Sequence, residues 1–315
     1  MTNDKKAARI VVVGSLVYDL VAWVDRRPGK GETRLGTGFG MFPGGKGANQ
    51  AVQAARMGAE VMMVGRVGKD MFGQEMRNSL AHHGVDIRHV QEDSDTTTAV
   101  GCITVDSTGD NSIVVVPQAN MRIRESDVAD ALLPLEGDRV LLLQLEIPLA
   151  ANIQAARIAR EKGWKVILNP APAQPLPEEL LELSDYLTPN EIELEMLAGR
   201  TLTEDADLVP AARSLLRHGV QGVIVTLGEK GALVVTADNE MRVPAFVVAA
   251  VDTTAAGDAF TGALAVALAE RISLDDAIGL ANAAGALAVT RPGAQPSLAK
   301  RRDIEDLASG TATVV

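Results

Sequence analysis

Aromatic residues, basic runs and long apolar stretches are all scarce in this chain. Only 3% of the 315 residues are aromatic, so the core must be built from Ala, Val, Leu and Ile. The formal net charge is −11, and no Lys/Arg run is long enough to form a basic patch. We therefore expect no nucleic-acid partner. No apolar run approaches the length of a membrane span, so we expect no membrane partner either.

Cysteine is limited to Cys102, which excludes an intrachain disulfide and favours a reducing compartment. We therefore predict a cytoplasmic protein. A lone cysteine in an apolar strand is typical of a small core residue, not of a nucleophile. At the N-terminus, charged residues precede only a short apolar run, which predicts a frayed end leading into a strand, not a signal peptide.

Short apolar runs alternate with helical stretches along most of the chain. The predicted strands begin at 9–14 and recur at 60–67, 140–146, 165–169, 186–190 and 222–228. The predicted helices are 48–57, 74–82, 150–161, 178–183, 191–197, 209–218, 257–270 and 274–289. Such alternation predicts an α/β fold with a doubly wound, mostly parallel sheet.

Residues 16–42 and 97–117 break this rhythm. Each contains β-branched or glycine-rich runs around a turn, which is typical of hairpins. We predict that they form a small antiparallel β lid on a single domain spanning residues 1–315, with residues 308–315 as a loose tail. A decorative extension of the sheet edge is the alternative.

Polar residues lie at, near or beyond the ends of several predicted strands. They are Asp19, Glu146, Asn169, Asn190 and Thr226. Because ligands gather at the carboxyl ends of strands in open parallel sheets, five polar residues at one edge favour a binding site there.

The segment from Val251 combines small residues with an acid at the start of a long predicted helix. Ala255, Ala256 and Gly257 leave their N–H groups free to face a phosphate, and the helix dipole adds positive potential. Asp258 follows directly and is a candidate base. The alternative is a carboxylate that only stabilises the helix N-terminus.

A glycine-rich turn at Gly44–Gly47 leads into the predicted helix from Ala48. The spacing from Gly40 to Lys46 resembles a P-loop, but Gly47 stands where the Mg²⁺-binding Ser/Thr is needed, and we reject that interpretation. Lys46 and Asn49 beside flexible glycines favour recognition of hydroxyl groups. A plain glycine-rich helix entry is the alternative.

Asn190 and Glu193 are three residues apart, on one face at a helix start. That face suits Mg²⁺, its waters and nucleotide phosphates. The same pattern also fits a simple helix cap.

Together these segments resemble the PfkB family of carbohydrate kinases, in particular its ribokinase branch, over nearly the whole chain. The motifs that carry the resemblance are PGGKGANQAV from Pro43, NPAPA from Asn169, TPNE from Thr188, DTTAAGDAF from Asp252 and TRPGAQPS from Thr290. The resemblance implies transfer of the γ-phosphate of ATP to the primary hydroxyl of a pentose, D-ribose first, to give ribose 5-phosphate.

The resemblance also implies a role for each matched residue. Asp258 is the implied base, and Ala255, Ala256 and Gly257 form the implied anion hole. The implied sugar-binding residues are Asp19, Gly45, Lys46, Asn49 and Glu146. The implied nucleotide and Mg²⁺ residues are Asn190, Glu193, Thr226, Gly228 and Asn282. A monovalent cation, usually K⁺, is implied at Asp252, Thr254, Arg291 and Ser297, and the lid is implied to pair two subunits into a homodimer.

One position departs from the pattern. Val17 stands where ribokinases typically have an Asn that touches the sugar, and valine cannot form that hydrogen bond. Another pentose, a deoxy sugar or a nucleoside therefore stays open as substrate.

Two further classes of function are distinguishable. A non-catalytic sugar or nucleotide sensor needs no base beside an anion hole, so Asp258 opposes it. A nicotinamide dehydrogenase needs a Gly-x-Gly-x-x-Gly turn after the first strand, and this chain has none there.

Overall fold

The computed structural model describes residues 7–311. Its strands are β1 (Arg9–Val13), β2 (Val17–Trp23), β3 (Gly38–Gly44), β4 (Glu60–Gly68), β5 (Asp86–Asp93), β6 (Ala99–Val105), β7 (Asn111–Val116), β8 (Val140–Leu143), β9 (Lys165–Leu168), β10 (Tyr186–Leu187), β11 (Gly222–Thr226), β12 (Ala232–Thr236) and β13 (Glu240–Val243). Its helices are α1 (Lys46–Arg56), α2 (Met71–His82), α3 (Glu125–Leu132), α4 (Leu149–Glu161), α5 (Glu178–Glu182), α6 (Glu191–Ala198), α7 (Leu208–Leu215), α8 (Ala256–Ala269), α9 (Leu274–Ala288) and α10 (Arg301–Ala308).

The two chain ends are only partly described. The predicted frayed residues 1–6 and residues 312–315 of the predicted tail lie outside the described residues. Ala308 ends α10, and the next three residues donate N–H bonds back to its last turn, Thr311 to the Asp306 carbonyl at 3.0 Å. The beginning of the predicted tail is thus hydrogen-bonded to the helix.

A nine-stranded sheet forms the centre, in the order β13-β12-β11-β10-β9-β8-β1-β4-β5. The neighbours from β11 to β5 pair in parallel, and the two pairings of β12, with β11 and with β13, are antiparallel. The predicted doubly wound, mostly parallel sheet is confirmed. Strands β5, β12 and β13 were not predicted. The two edge strands, β5 and β13, lack the continuous apolar run of a central strand. Strand β12 has such a run, ALVVT, and was overlooked.

Helices cover both faces of this sheet. Ile10 and Val12 of β1 pack under α1, α2 and α8–α10, whereas Val11 and Val13 pack under α3–α7. All four side chains are fully buried. Alternate residues of one strand therefore serve two separate cores, which explains the uninterrupted apolar sequence.

The small sheet has the order β3-β2-β6-β7. Its outer pairings are antiparallel, as predicted, but the middle pairing of β2 with β6 is parallel. Strand β2 follows β1 and β6 follows β5, so both leave the carboxyl edge of the main sheet in the same direction. Within residues 7–311, no helix has the length and apolar character to cross a bilayer.

Residues paired across the small sheet share a face, which gives the lid an inner and an outer side. Asp19 and Gly101 lie in one row on the side of the site described below, and Met41, Cys102 and Val114 lie in a row on the opposite side. Cys102 is exposed, so the prediction of a core cysteine is wrong. The physical reason is that α2 covers one end of this outer side, where its Phe72 stacks on Tyr18, and that Cys102 lies beyond this contact.

Candidate active site

The site lies where β1 and β8 are neighbours at the carboxyl edge. The chain fills the sheet on one side of β1 first and on the other side afterwards, so this is a topological switch point. Ser15, just after β1, donates its hydroxyl proton to Glu146, just after β8. Glu146 also accepts the backbone N–H of Lys46 at 3.0 Å. The start of α1 is thereby fixed to the ends of two central strands.

The glycine-rich turn before α1 is shaped by close backbone packing. Gly45 has φ +87°, a left-handed conformation that favours glycine, and it precedes the first residue of α1. A Cβ on Gly47 would stand 2.6 Å from the Ser15 nitrogen. Instead, the Gly47 N–H donates to the Ser15 hydroxyl at 3.2 Å. These glycines bring α1 against the end of β1 and set the position of Lys46 and Asn49.

Asp258 lies in the first turn of α8 and is only 7% exposed. Asn49 donates its side-chain N–H to Oδ2 at 2.9 Å, and Gln50 donates to Oδ1 at 3.1 Å. Burial raises the pKa of Asp258 above its ordinary range, although the charge of Lys46 and the two amide donors oppose that shift. A buried carboxylate with a raised pKa is a suitable proton acceptor.

The N-terminus of α8 opens next to Asp258. Ala255 has φ +61° and ends the preceding loop, so the helix begins abruptly at Ala256. A Cβ built on Gly257 would meet no atom within 4 Å, so the space outside this turn is open. The first N–H groups of a helix lack partners within the helix. Ala255, Ala256 and Gly257 thus line an open helix start that can bind an anion.

Lys46 lies among carboxylates from several elements. Burial alone lowers the pKa of its ammonium group, but the charges of Asp258, Glu146, Glu193 and Asp19 outweigh burial and raise that pKa. Burial, then Glu146 and Asp258, raise the pKa of Asp19 to about 7, with Lys46 opposing them. The structure therefore gathers Asp19, Lys46, Asn49 and Glu146 around Asp258.

The lid holds Asp19 between two glycines. A Cβ on Gly44 of β3 or on Gly101 of β6 would collide with the Asp19 carboxylate. Val17 is 3% exposed on the same strand, β2, and its methyl groups lie 3.1 Å and 3.7 Å from the positions of a Cβ on Gly45 and Gly101. The lid thus presents one carboxylate and one apolar side chain beside the glycine-rich turn.

Asn190 and Glu193 form a reciprocal helix cap at the start of α6. The Glu193 N–H donates to the Asn190 side chain, and the Asn190 N–H donates to the Glu193 carboxylate, both at 2.8 Å. Burial raises the pKa of Glu193. Thr226 at the end of β11 donates its N–H to the Pro189 carbonyl at 2.9 Å, next to this cap. Asn190 and Glu193 therefore form the helix cap that was the alternative prediction, and the same two residues remain the ones predicted to face Mg²⁺ and the nucleotide phosphates.

The remaining predicted nucleotide residues lie further along this edge. Gly228 follows β11 and has φ +57°. Asn282 of α9 is 7% exposed and donates its side-chain N–H to the carbonyls of Val243 and Pro244, each at 3.2 Å. Asn282 thus holds the loop that follows β13.

The predicted cation residues belong to two loops joined by Asp252. Its carboxylate accepts the Thr254 N–H at 2.9 Å and the Gly293 N–H at 2.8 Å. Burial would raise the pKa of Asp252, but the Thr254 hydroxyl, which donates to the same carboxylate at 2.6 Å, and these two N–H groups lower it below its ordinary range. Ser297 is fully buried and donates to the Ala294 carbonyl at 2.8 Å, whereas Arg291 is exposed.

Three polar residues of the site were missed by the sequence analysis. Ser15, Gln50 and Gln144 are all fully buried, and each bonds a residue at the carboxyl edge. Gln144 was visible as the one amide in the apolar run VLLLQL, and Gln50 as a polar residue on the buried face of α1. A polar residue within an apolar stretch needs a buried hydrogen-bond partner, so the sequence pattern could have identified Gln50 and Gln144 as members of the site.

A family model described as pfkB family carbohydrate kinase matches residues 7–301. The chain is 41% identical over 294 residues to a ribokinase of Haemophilus influenzae, which covers 93% of this chain and 96% of that protein. It is 38% identical to a deoxyribokinase of Salmonella typhimurium, which covers 91% of this chain and 94% of that protein.

Among solved structures, the chain resembles Arabidopsis thaliana ribokinase complexed with ribose and ATP. The TM-score is 0.86 at 34% identity, and the match covers 96% of this chain and 99% of that chain. The residues matched by the family model, 7–301, include both sheets and every segment of the site described above.

Proposed function

The chain belongs to the pfkB family of carbohydrate kinases, and we propose that it transfers the γ-phosphate of ATP to the primary hydroxyl of D-ribose. The observation that carries this proposal is the buried carboxylate of Asp258 beside the open N-terminus of α8. A base and an anion site at one point are what phosphoryl transfer to an alcohol requires. The ribokinase and the ribose–ATP complex among the similar proteins support the choice of substrate.

Asp258 takes the proton of the primary hydroxyl as its oxygen forms a bond to the γ-phosphorus. The bond from that phosphorus to the bridging oxygen of ADP breaks, and ADP leaves with the electron pair. The N–H groups of Ala255, Ala256 and Gly257 face the transferring group and stabilise its negative charge. The helix dipole of α8 acts in the same sense.

The sugar lies between the lid and the glycine-rich turn. Asp19, Lys46 and Glu146 supply charged hydrogen-bonding groups from β2, α1 and the end of β8, and Gly45 allows close approach of the backbone. Asn49 bonds Asp258 and lies beside the sugar, so it couples substrate position to the base. Hydroxyl groups need such convergent partners because an unpaired polar group in a closed site is costly.

The nucleotide lies along the edge from α6 to α9, near Asn190, Glu193, Thr226, Gly228 and Asn282. Mg²⁺ neutralises charge on the phosphates when it is bound. Within residues 7–311 no three His, Cys, Asp or Glu side chains form a metal-binding cluster. This fits Mg²⁺, which is typically held by one or two carboxylates plus substrate phosphates and water. Glu193, in the first turn of α6, is the carboxylate that this chain would contribute to the Mg²⁺ site.

The loops around Asp252 would hold a monovalent cation such as K⁺. The ionised Asp252 supplies the compensating charge, and the loops of Thr254, Arg291 and Ser297 supply backbone carbonyl oxygens. The lowered pKa of Asp252 fits this role because the carboxylate stays charged at neutral pH. The cation adds positive potential next to the α8 N-terminus.

A second substrate, 2-deoxyribose, is favoured by Val17. An apolar side chain beside the sugar offers no partner to one hydroxyl, which makes a sugar that lacks a hydroxyl the better fit. One of the similar proteins is a deoxyribokinase. The two sugars are therefore the first pair to compare.

We also propose that the protein is a cytoplasmic homodimer that pairs through the outer side of the lid. Phe39, Met41 and Val114 on that side are 64%, 45% and 64% exposed. Apolar patches of this kind mark interaction sites. A reducing compartment fits the single, exposed thiol of Cys102.

The test measures ADP release from ATP and Mg²⁺ with ribose, deoxyribose, other pentoses, hexoses and nucleosides, with and without K⁺. We expect turnover on ribose or deoxyribose and a loss of about 10³-fold or more in kcat for Asp258→Asn, because the base is removed. Ribose and ATP binding, measured by calorimetry, should persist in that variant. Silence across the panel with ATP still bound would favour a sensor and overturn the proposal.

A further inference from the structure

Gln50 of α1 is fully buried directly behind Asp258. Its side-chain N–H group donates to Asp258 Oδ1 at 3.1 Å and to Asn169 Oδ1 at 3.1 Å. Its carbonyl oxygen accepts from Gln144 Nε2 at 2.6 Å. Every polar atom of this amide is therefore used, at the point where α1, α8, β8 and β9 converge.

The partners of Gln50 fix which way its amide points. The Asp258 carboxylate has only acceptors, and the Asn169 amide nitrogen already donates to the Thr188 carbonyl at 2.9 Å. A flipped Gln50 would place its oxygen against two other oxygens. The donor therefore faces Asp258, and Gln144 on the other side completes the arrangement.

We propose that Gln50 is a positioning residue for phosphoryl transfer, which holds the Asp258 carboxylate in the plane that presents it to the sugar hydroxyl. This inference rests on the proposed role of Asp258 as the base. Asn49 holds Oδ2 and Gln50 holds Oδ1, so consecutive residues of one helix fasten both oxygens of the carboxylate. A carboxylate held at one oxygen can rotate about its Cβ–Cγ bond, whereas one held at both cannot.

The arrangement links the base to substrate binding. Gln50 and Asn49 follow Lys46 within the first two turns of α1, and the Lys46 N–H is bound to Glu146. A shift of the glycine-rich turn therefore moves the donors on Asp258. Because α8 carries both Asp258 and the open helix start, Gln50 also fixes the angle between base and anion site.

The same helix offers a matched control in Gln53. It is fully buried one turn later, but it donates to the Ala299 carbonyl at 3.1 Å and does not contact Asp258. Gln50→Met and Gln53→Met each remove one buried amide of equal size. Both variants lose packing and a neutral hydrogen bond. Gln50→Met also loses the donor to the base and the acceptor of the Gln144 N–H, and the Gln144 variant described below tests the second loss separately.

We expect Gln50→Met to lower kcat about 10- to 100-fold, which corresponds to one hydrogen bond to a charged group, with KM for the sugar changed by about threefold or less. The acidic limb of the kcat profile against pH should move up by about one pH unit, because a donor that favours the ionised form of Asp258 is lost. Gln53→Met should leave the position of that limb unchanged.

Gln144→Met serves as the second variant and keeps the test decisive if Gln50→Met does not fold. It removes the donor to the Gln50 oxygen without touching Asp258, so we expect a shift of the limb in the same direction and a smaller fall in kcat. Equal losses in the Gln50 and Gln53 variants, with the limb fixed in all three, would show a structural role only. An Asp258→Asn enzyme that keeps full activity would instead overturn the role of Asp258 as the base, on which this inference rests. An unchanged protein that turns over no substrate of the panel would overturn the proposed function itself.

Discussion

Asp258 and Asp19 are two acids of the site whose pKa values are raised by burial. Burial raises the pKa of Asp258, while Asn49, Gln50 and Lys46 favour its ionised form. Burial, together with the charges of Glu146 and Asp258, raises the pKa of Asp19 to about 7, and Lys46 opposes this rise. At the residue scale, the ionised form of Asp258 is therefore stabilised by two amide donors and Lys46, whereas that of Asp19 is stabilised by Lys46.

Val17 gives a prediction on specificity. Val17→Asn adds a donor and an acceptor next to Asp19, so we expect the ratio of kcat/KM for ribose over deoxyribose to rise about tenfold or more. Both sugars are assayed on the same preparation, so any loss of folded enzyme cancels in the ratio. A ratio equal to that of the unchanged protein would mean that Val17 does not face the 2-hydroxyl.

Asp19 gives a prediction on stability against pH. Its folded pKa of about 7 lies above its ordinary value of 3.8, so the folded state keeps a proton that the unfolded chain releases. The resulting destabilisation begins near pH 4, grows as pH rises, and is complete above pH 7. We expect Asp19→Asn to raise the free energy of unfolding by about 2 kcal/mol more at pH 8 than at pH 5, since one pKa unit corresponds to ~1.4 kcal/mol.

Urea unfolding of both proteins without sugar at the two pH values checks this prediction. Asp130→Asn, at an exposed position on α3, is the control and should show no such difference. An equal effect of Asp19→Asn at pH 5 and pH 8 would contradict a raised pKa.

At the scale of elements, α1 and α8 meet so closely that glycine is required between them. A Cβ on Gly262 of α8 would stand 2.8 Å from the backbone carbonyl oxygen of Gln50 and 2.8 Å from the Gln53 Cβ. This close crossing brings the Asp258 end of α8 within reach of Asn49 and Gln50. Helix α8 has apolar residues on every side and is buried for most of its length, as expected for a central helix.

Two glycine substitutions in neighbouring helices should have opposite effects. Gly262→Ala should lower the free energy of unfolding by about 1–3 kcal/mol, because α1 and α8 must move apart. Gly279→Ala in α9 meets no atom within 4 Å and should raise it by about 0.5–1 kcal/mol through helix propensity. Denaturant titration of the three proteins gives both values, and a stabilised Gly262→Ala would refute the close crossing.

At the scale of the whole molecule, the lid has one side toward the site and one side toward solvent. Asp19 and Gly101 are on the inner side, and Met41, Cys102 and Val114 are on the outer side. The inner side contributes to sugar binding in the proposed function. On the outer side α2 covers the end at Tyr18, and Phe39, Met41 and Val114 beyond it are exposed. Pairing of two lids would bury that side.

Val114→Asp tests this pairing. A carboxylate on the outer face of β7 should shift the protein from dimer to monomer in sedimentation velocity, because its charge would be buried without a partner. Leu133→Asp changes an apolar side chain that is 56% exposed on the main body and should leave the dimer intact. A Val114→Asp protein that stays dimeric would place the interface elsewhere.

Much of the fold and several site residues follow from the sequence because their signals are local. The continuous apolar run of β1 predicts a central parallel strand, and small residues before Asp258 predict an open helix start. The polar residues at strand ends predict a shared edge, because parallel strands end on the same side of a sheet. Edge strand β5 was not predicted, because its partial burial leaves no continuous apolar run in its sequence.

Only the tertiary structure decided which groups hold the base and which way the lid faces. Gln50 and Asp258 are 208 residues apart, so no periodicity relates them before α1 crosses α8. The parallel pairing of β2 with β6 puts Asp19 on the inner side of the lid and Cys102 on the outer side. Strand alternation predicts that these residues lie on opposite sides, but it does not predict which side faces the site. Local sequence determines the conformation of each element, but long-range packing determines which side chains meet.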